Sequence, residues 1–281
     1  MITIAQALKY AHSKEVDDLD ARILLKSCTN FNNLDIIVNS DSSLSEDEVV
    51  KFNHCIMRRL SGEPIAYITG EKEFFGINFN VNAHTLIPRP DTELLVEHVI
   101  DYINRNNIES PKILDLGTGS GAIIISILAN IDDATGVAVD LNPKALLKAQ
   151  ENAKLNEVDN RLEFVESSWF SNVKDDDFDI IVANPPYITT KMMAELDNVV
   201  KDFEPKLALE GGELGYEPYI EIVQKSPDFM KDNAKIFLEI GYDQRQSVLN
   251  LFNSDVWHNK KCFKDYGNND RLITVSLMKN K

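Results

Sequence analysis

The chain has 281 residues, 43% of them apolar and 26% charged, with 45 acidic against 29 basic residues and a net charge of −16. That is enough chain for one large or two smaller cored domains, and its acidity argues against a general-purpose nucleic-acid binder, whose affinity comes mostly from Lys and Arg. Cys28, Cys55 and Cys262 form no C-x-x-C pair and the five histidines no H-E-x-x-H spacing, which argues against a disulfide framework and a metal site and for a reducing, cytoplasmic setting.

The N-terminus lacks the basic and apolar regions of a signal peptide, and no apolar run approaches the ~20 residues of a membrane span. Residues 1–71 read as an all-helical domain. Ile4, Ala7, Leu8 and Ala11 repeat at helical spacing, as do Leu19, Ile23 and Leu24. Ser45 with Glu48 three residues on is a capping box, opening a helix whose inner side is Val49, Phe52, Ile56 and Leu60. No catalytic residue types gather here; the segment is a packed bundle that can hold a protein partner.

Residues 72–90 change period. "EFFGINFNVN" reads as a β-hairpin around Gly76, with Phe74 in its core and Glu73 open to a substrate channel. "LIPRPD" follows as a linker stiffened by Pro88 and Pro90, in which Arg89 and Asp91 either order a lid or cap the next helix. Over 91–281 strands alternate with helices. Strands are expected at 112–116, 135–139, 162–165, 180–183 and 235–240, then a terminal antiparallel pair at 256–264 and 271–277. Helices are expected at 92–105, 121–130, 143–155 and 216–230, the third opened by Asn142 and Pro143. This is the pattern of an α/β, Rossmann-like, seven-stranded sheet that binds ligands at the carboxyl ends of its parallel strands. The acidic run "KDDDFD" reads as a solvated loop.

"LDLGTGSGAI" sets Gly117, Gly119 and Gly121 between a strand and a helix, where glycine lets backbone approach a ligand closely. With Ala122 it also satisfies G-x-G-x-x-A, so the loop alone fits a dinucleotide as well as S-adenosylmethionine (SAM). Asp140, ending the next strand, suits the ribose hydroxyls of either. Asp115 tilts the choice to SAM, because a carboxylate there suits a cationic amino-acid end.

The stretch "VANPPYI" tilts it further. Methyl transfer from a sulfonium is an in-line displacement, so catalysis is mostly positioning. A planar NH2 group, whose lone pair is delocalised, can be aligned by two acceptors that favour the charge developing on nitrogen. Asn184 supplies a side-chain oxygen, Pro185 a carbonyl whose direction the Pro185–Pro186 pair fixes, and Tyr187 a ring to pack on the planar group. No strong general base is needed, since the methylated nitrogen becomes acidic enough to lose its proton to water. A Pro-Pro turn that merely ends a strand is the plainer reading, and the glycine loop and Asp140 upstream weigh against it.

Together these motifs, with "LIPRPDTELLVE", "FEPKLALEGGELGYEPY", "LEIGYDQ" and "KDYGNNDRLI", resemble the HemK/PrmC family of protein-(glutamine-N5) methyltransferases. The resemblance spans residues 67–281, and the helical N-terminus is similar in size and character. It implies methylation of the side-chain amide of the Gly-Gly-Gln glutamine in peptide chain release factors, with SAM as cofactor and no metal. By position it implies that Gly117, Thr118, Gly119, Ser120 and Gly121 bind SAM, that Asp140 holds the ribose, and that Trp169 lies beside the adenine. Asn184, Pro185, Pro186 and Tyr187 would hold the glutamine, with Asn184 also near the methyl donor. Ser168 departs from the acidic residue the family often carries before the tryptophan, which leaves adenine N6 a hydroxyl in place of a carboxylate. The expected protein is a cytoplasmic monomer without nucleic-acid or membrane contacts, its helical domain helping to recognise the release factor. Three other readings share parts of the pattern. A glutamine methyltransferase of a large-subunit ribosomal protein would carry a linker like IPRSP. An adenine-N6 nucleic-acid methyltransferase would need a basic face and a base-flipping site. A SAM-binding regulator would have a broken NPPY.

Overall fold

The structure, a computed structural model, describes residues 1–279, apart from the side chain of Asn198. Its chain forms two compact units. One is Met1–Glu71 together with Asp197–Phe203; the other is Lys72–Leu196 together with the chain from Glu204 onward.

The first unit holds α1 (Ile4–Ser13), α2 (Asp18–Cys28), α3 (Asn33–Val38), α4 (Glu46–Leu60) and α5 (Ile65–Thr69). Its core joins Ile4, Ala7, Ala11, Leu24, Leu25, Phe52 and Ile56. Ser45 caps α4 as expected, its hydroxyl accepting from the Glu48 amide while the Glu48 carboxylate accepts from the Ser45 amide. The stripe expected on α2 is displaced. Asp17 caps at the Leu19 amide, and the buried face is Ala21, Leu24 and Leu25, so Leu19 and Ile23 face solvent. Leu60, expected inside, is also exposed.

The second unit opens with the hairpin of β1 (Glu71–Phe74) and β2 (Ile77–Asn80), turning at Phe75 and Gly76, both in the left-handed region. Then come α6 (Glu93–Asn106), β3 (Lys112–Leu116), α7 (Ala122–Asn130), β4 (Thr135–Asp140), α8 (Pro143–Leu155), β5 (Leu162–Glu166) and β6 (Phe178–Ala183). After β6 lie two short helices, α9 (Thr190–Glu195) and α10 (Asn198–Phe203), the second belonging to the helical unit. The chain ends with α11 (Glu217–Phe229), β7 (Met230–Glu239), α12 (Arg245–Leu251), β8 (Trp257–Lys264) and β9 (Asp270–Leu277).

Seven strands form one sheet in the order β5-β4-β3-β6-β7-β9-β8, parallel from β5 to β7 and antiparallel at β9 and β8. Period-2 alternation divides the strand residues between two cores. Ile113, Ile180, Val182 and Phe237 pack on the side of α6, α7 and α8; Leu114, Ile181, Ala183 and Leu238 pack with Tyr219, Ile222 and Val248 of α11 and α12. Helix α7 is apolar all round because it is buried all round. Chain order reverses direction across the sheet at β3, which has β4 on one side and β6 on the other. That switch point is where such a sheet opens a crevice at its carboxyl edge.

Candidate active site

At that edge the second unit has a cavity of about 280 Å³. Its wall includes Gly117 and Gly119 after β3, Asp140 and Leu141 after β4, Ser167, Ser168 and Trp169 after β5, and Asn184 and Pro186 after β6.

The loop after β3 is pinned from both sides. The amides of Gly117 and Thr118 both donate to the Val139 carbonyl at 2.8 Å, and the Gly119 amide donates to Asp140 Oδ2 at 2.8 Å. Gly119 is at φ +58 with nothing within 4 Å of where a Cβ would stand, so its backbone faces open space. Gly121 is glycine for another reason. At φ +82, a Cβ there would stand 2.5 Å from Ile125 Cδ1. Thr118, Ser120 and Gly121 are buried away from the cavity wall, and the Ser120 carbonyl accepts from Asn152 Nδ2 at 2.8 Å. Asn152 also exchanges two hydrogen bonds with the Asn80 backbone, tying α8, the hairpin and the glycine loop together.

Asp115 does not reach the cavity. It is fully buried beneath the loop, taking a 2.7 Å hydrogen bond from the Thr118 hydroxyl on Oδ2 while Oδ1 has no partner. Burial pushes its carboxyl up to about 7. In the structure it holds the loop and does not line the cavity. Asp140 does line the cavity. It accepts from the Gly119 and Asn142 amides, each at 2.8 Å, and burial raises its pKa against those bonds. Trp169 is half-buried at φ +49, a strained setting for a bulky residue, and a Cβ on Gly117 would touch its ring at 3.7 Å. Ser168 beside it is exposed.

The NPPY turn is braced on both flanks. Asn184 Nδ2 donates to the Thr92 hydroxyl at 3.2 Å, and among the described residues no hydrogen bond engages its oxygen. Gln244 Nε2 donates to the carbonyls of Tyr187 and Gly215, at 3.0 and 2.8 Å. Gly211 passes so close that a Cβ would stand 2.5 Å from the Pro186 carbonyl oxygen. Tyr187 is half-buried behind the cavity, its phenol pushed up to about 12 chiefly by burial. Pro185 is buried and, like Tyr187, stands off the cavity wall.

Other residues resolve their alternatives. Arg89 pairs with the buried Glu204, whose second oxygen takes the Ile87 amide at 3.3 Å, so the linker is anchored to "FEPKLAL". Asp91 pairs with Arg271 at 3.3 Å and caps no helix. Glu73 closes the hairpin turn by accepting from the Gly76 amide at 2.7 Å, and Phe74 is core. Lys112, at the opposite end of β3 from the cavity, pairs with Asp175 and Asp177 of the acidic run. His84, Thr85, Leu86, Pro205, Leu207 and Glu210 also line the cavity. No spacing singles them out; they arrive on loops anchored by Glu204 and Gly211.

The model of the PrmC N-terminal domain matches residues 3–70, and that of the methyltransferase small domain matches residues 89–214. The release factor glutamine methyltransferase of Agrobacterium fabrum is 39% identical over 258 residues, covering 91% of this chain and 89% of that protein. The chain belongs to the release factor glutamine methyltransferase family. A bifunctional methyltransferase of Rickettsia typhi is 36% identical over 98% of this chain, which spans only 57% of that longer protein. A methyltransferase structure from Pyrococcus furiosus superposes with a TM-score of 0.54 at 16% identity, covering 79% of this chain and 96% of that one, a likeness of fold alone. As a member of this family the protein is a methyltransferase, and the seven-stranded domain with its helical N-terminal segment is the expected architecture. Among the described residues no helix is long and apolar enough to cross a membrane.

Proposed function

We propose that the protein transfers the methyl group of SAM to the side-chain amide N5 of the glutamine in the Gly-Gly-Gln motif of peptide chain release factors. The observation that carries this reading is Asn184, held on the wall of the same cavity as Gly117, Gly119 and Asp140 with its amide nitrogen engaged by Thr92.

The residues fit the cofactor. Asp140 spends one lone pair of each oxygen on a backbone amide and keeps one on each for a ribose diol. The open backbone at Gly119 accommodates the amino-acid end, and Trp169 with Leu141 and Ala145 offers an apolar slot for the base. When bound, SAM supplies an electrophilic methyl group. Asn184 Oδ1, on the cavity wall, accepts one N–H of the glutamine amide, and the Pro185 carbonyl, which stands off that wall in the ligand-free site, accepts the other as the substrate seats, turning the nitrogen lone pair toward that methyl. As the C–N bond forms and the C–S bond breaks, both acceptors stabilise the positive charge growing on nitrogen. The proton then leaves to water, so no residue need act as a strong base.

The helical unit, with Ile37, Val38, Val50 and Met57 exposed, is the part suited to recognising a protein partner. The reading makes the enzyme a cytosolic monomer, its location in keeping with cysteines that form no C-x-x-C pair.

The test is mass spectrometry of a purified release factor after incubation with the protein and SAM. A 14 Da gain confined to the Gly-Gly-Gln peptide, falling by about 100-fold or more in rate with Asn184→Ala, is the expected result. Methyl incorporation into a ribosomal protein or nucleic acid instead would overturn the substrate.

A further inference from the structure

An asparagine works as an acceptor only if its amide is turned the right way. Its oxygen and nitrogen are nearly the same size, and the flipped side chain would set a donor against the donor of the substrate NH2. The hydroxyl of Thr92 cannot settle this by itself, since a hydroxyl both donates and accepts.

A second group lies in reach. Glu239 ends β7 beside the strand that ends in Asn184, in the register that pairs Ala183 with Leu238. Strand alternation places Asn184 on the Val182 face and Glu239 on the Phe237 face, the same side of the sheet, where α6 begins at Thr92. Thr92 and Glu239 are both almost fully buried, and Glu239 Oε2 has no hydrogen-bond partner. The side chains of Thr92 and Asn184 are among the groups that hold the Glu239 carboxyl down against its burial.

We propose that Glu239 and Thr92 are positioning residues that lock the Asn184 amide with its oxygen toward the acceptor nitrogen. An ionised carboxylate can only accept. Thr92 therefore turns its proton to Glu239 and keeps its lone pairs for Asn184 Nδ2. Flipping Asn184 would aim its oxygen at an acceptor pair and leave its NH2 facing the substrate. This rests on the amide-methylation reading above and adds a supporting layer to it that neither NPPY nor the glycine loop announces.

The lock is complete only while Glu239 is ionised. Burial pushes its carboxyl up to about 7, with Asp91 raising and Arg271 lowering it; Tyr187 and Tyr219 also feel its charge. Arg271 spends its donors on Asp265 at 3.1 Å and Asp91 at 3.3 Å, so it compensates the charge while leaving Oε2 without a donor. Turnover should thus rise with pH through neutrality.

The experiment compares the full chain with Thr92→Val, Thr92→Ser and Glu239→Gln. It measures kcat and KM on a release factor, SAM affinity by calorimetry, and the Asn184 side-chain NH2 resonances by NMR with SAM bound. The lock predicts that Thr92→Val and Glu239→Gln lower kcat about 10- to 100-fold with SAM affinity and KM nearly unchanged. Thr92→Ser should retain wild-type turnover, and Glu239→Gln should flatten the pH profile near neutrality. The Asn184 NH2 protons should be protected from solvent exchange in the wild type and lose that protection in both impaired variants. Wild-type turnover by Thr92→Val, or a loss of SAM affinity that accounts for its lower rate, would overturn the proposal. A wild-type protein that leaves the release factor unmodified yet protects these protons through Thr92 would sink the substrate reading and uphold the lock. Unprotected wild-type protons would sink the lock, whatever the substrate.

Discussion

Asp140 offers the most quantitative test of how the cavity takes its cofactor. Each of its oxygens accepts one backbone amide at 2.8 Å, from Gly119 and from Asn142. A carboxylate has about four acceptor sites, so roughly two remain for the ribose diol. Asp140→Asn keeps the shape, but one oxygen becomes an NH2 that must face either a loop amide or a ribose hydroxyl as donor against donor. The charge is lost as well. Hydrogen bonds to charged groups are worth about 1.5–3 kcal/mol each, so losing one and weakening another amounts to roughly 3 kcal/mol. That corresponds to SAM binding weaker by about 100-fold. Calorimetric titration of SAM into the purified variant measures this directly, with its ligand-free melting temperature checking that the fold survives. Burial raises the pKa of Asp140. Wild-type affinity should therefore fall as pH drops through that raised value, while the variant stays flat there. A variant that binds SAM within about threefold of wild type would refute the assignment of the ribose to Asp140.

Gly121→Ala should lower stability by a few kcal/mol, because its Cβ would stand 2.5 Å from Ile125 Cδ1 at φ +82; a melting curve checks it, and an unshifted one would contradict the packing. Of the two tryptophans, Trp257 is buried in the core and Trp169 lines the cavity. SAM should therefore quench fluorescence in the wild type and not in Trp169→Phe, whose affinity should fall by about tenfold at most through lost ring contact. Asp115 carries a pH-dependent stability term. Its carboxyl is pushed from 3.8 up to about 7 in the folded chain, so the folded state holds the proton more tightly. Stability is then lost as pH rises from about 4 to about 7, by roughly 4 kcal/mol at 1.4 per tenfold, and is constant above. Asp115→Asn should remove that share of the slope in urea titrations across this range, and an unchanged slope would show that Asp115 ionises normally.

Much of the architecture was readable because its signals are local. The capping box at Ser45, the Asn142–Pro143 opening of α8 and the seven apolar strand runs each carry their physics within a few residues. The glycine loop and NPPY were readable because close backbone approach and a rigid turn leave few residue choices. What stayed hidden depends on partners far along the chain. The buried face of α2 is Ala21, Leu24 and Leu25, packed on the other helices of its unit, which leaves the apolar Leu19 and Ile23 to solvent. Asp197–Phe203 joins the helical unit although it lies between two stretches of the sheet domain. The place of Asp115 before the glycines suggests a ligand contact, but strand alternation turns it beneath the loop, onto the Ile113 face. Asn184 and Glu239 lie 55 positions apart and come alongside each other only because β7 lies beside β6.

One electrostatic property follows from these placements together. Asp115 and Asp140 sit at or just before the carboxyl ends of the adjacent strands β3 and β4, Glu239 ends β7 two strands beyond β3, and burial raises the pKa of each. At Asp115 and Asp140 the groups that offset this are neutral hydrogen-bond donors, and the charge of Asp140 adds to the burden on Asp115. Only Glu239 has a cation, Arg271, among its offsetting groups. Burial of this kind disfavours ionisation until positive charge arrives nearby. Under the proposed reaction the methyl donor enters as a sulfonium and departs as a neutral thioether. Asp140, the one of the three on the cavity wall, therefore favours the donor over the product, and most strongly at the pH where it is ionised. The same charge that makes the ligand-free site costly to hold thus aids both cofactor capture and product release.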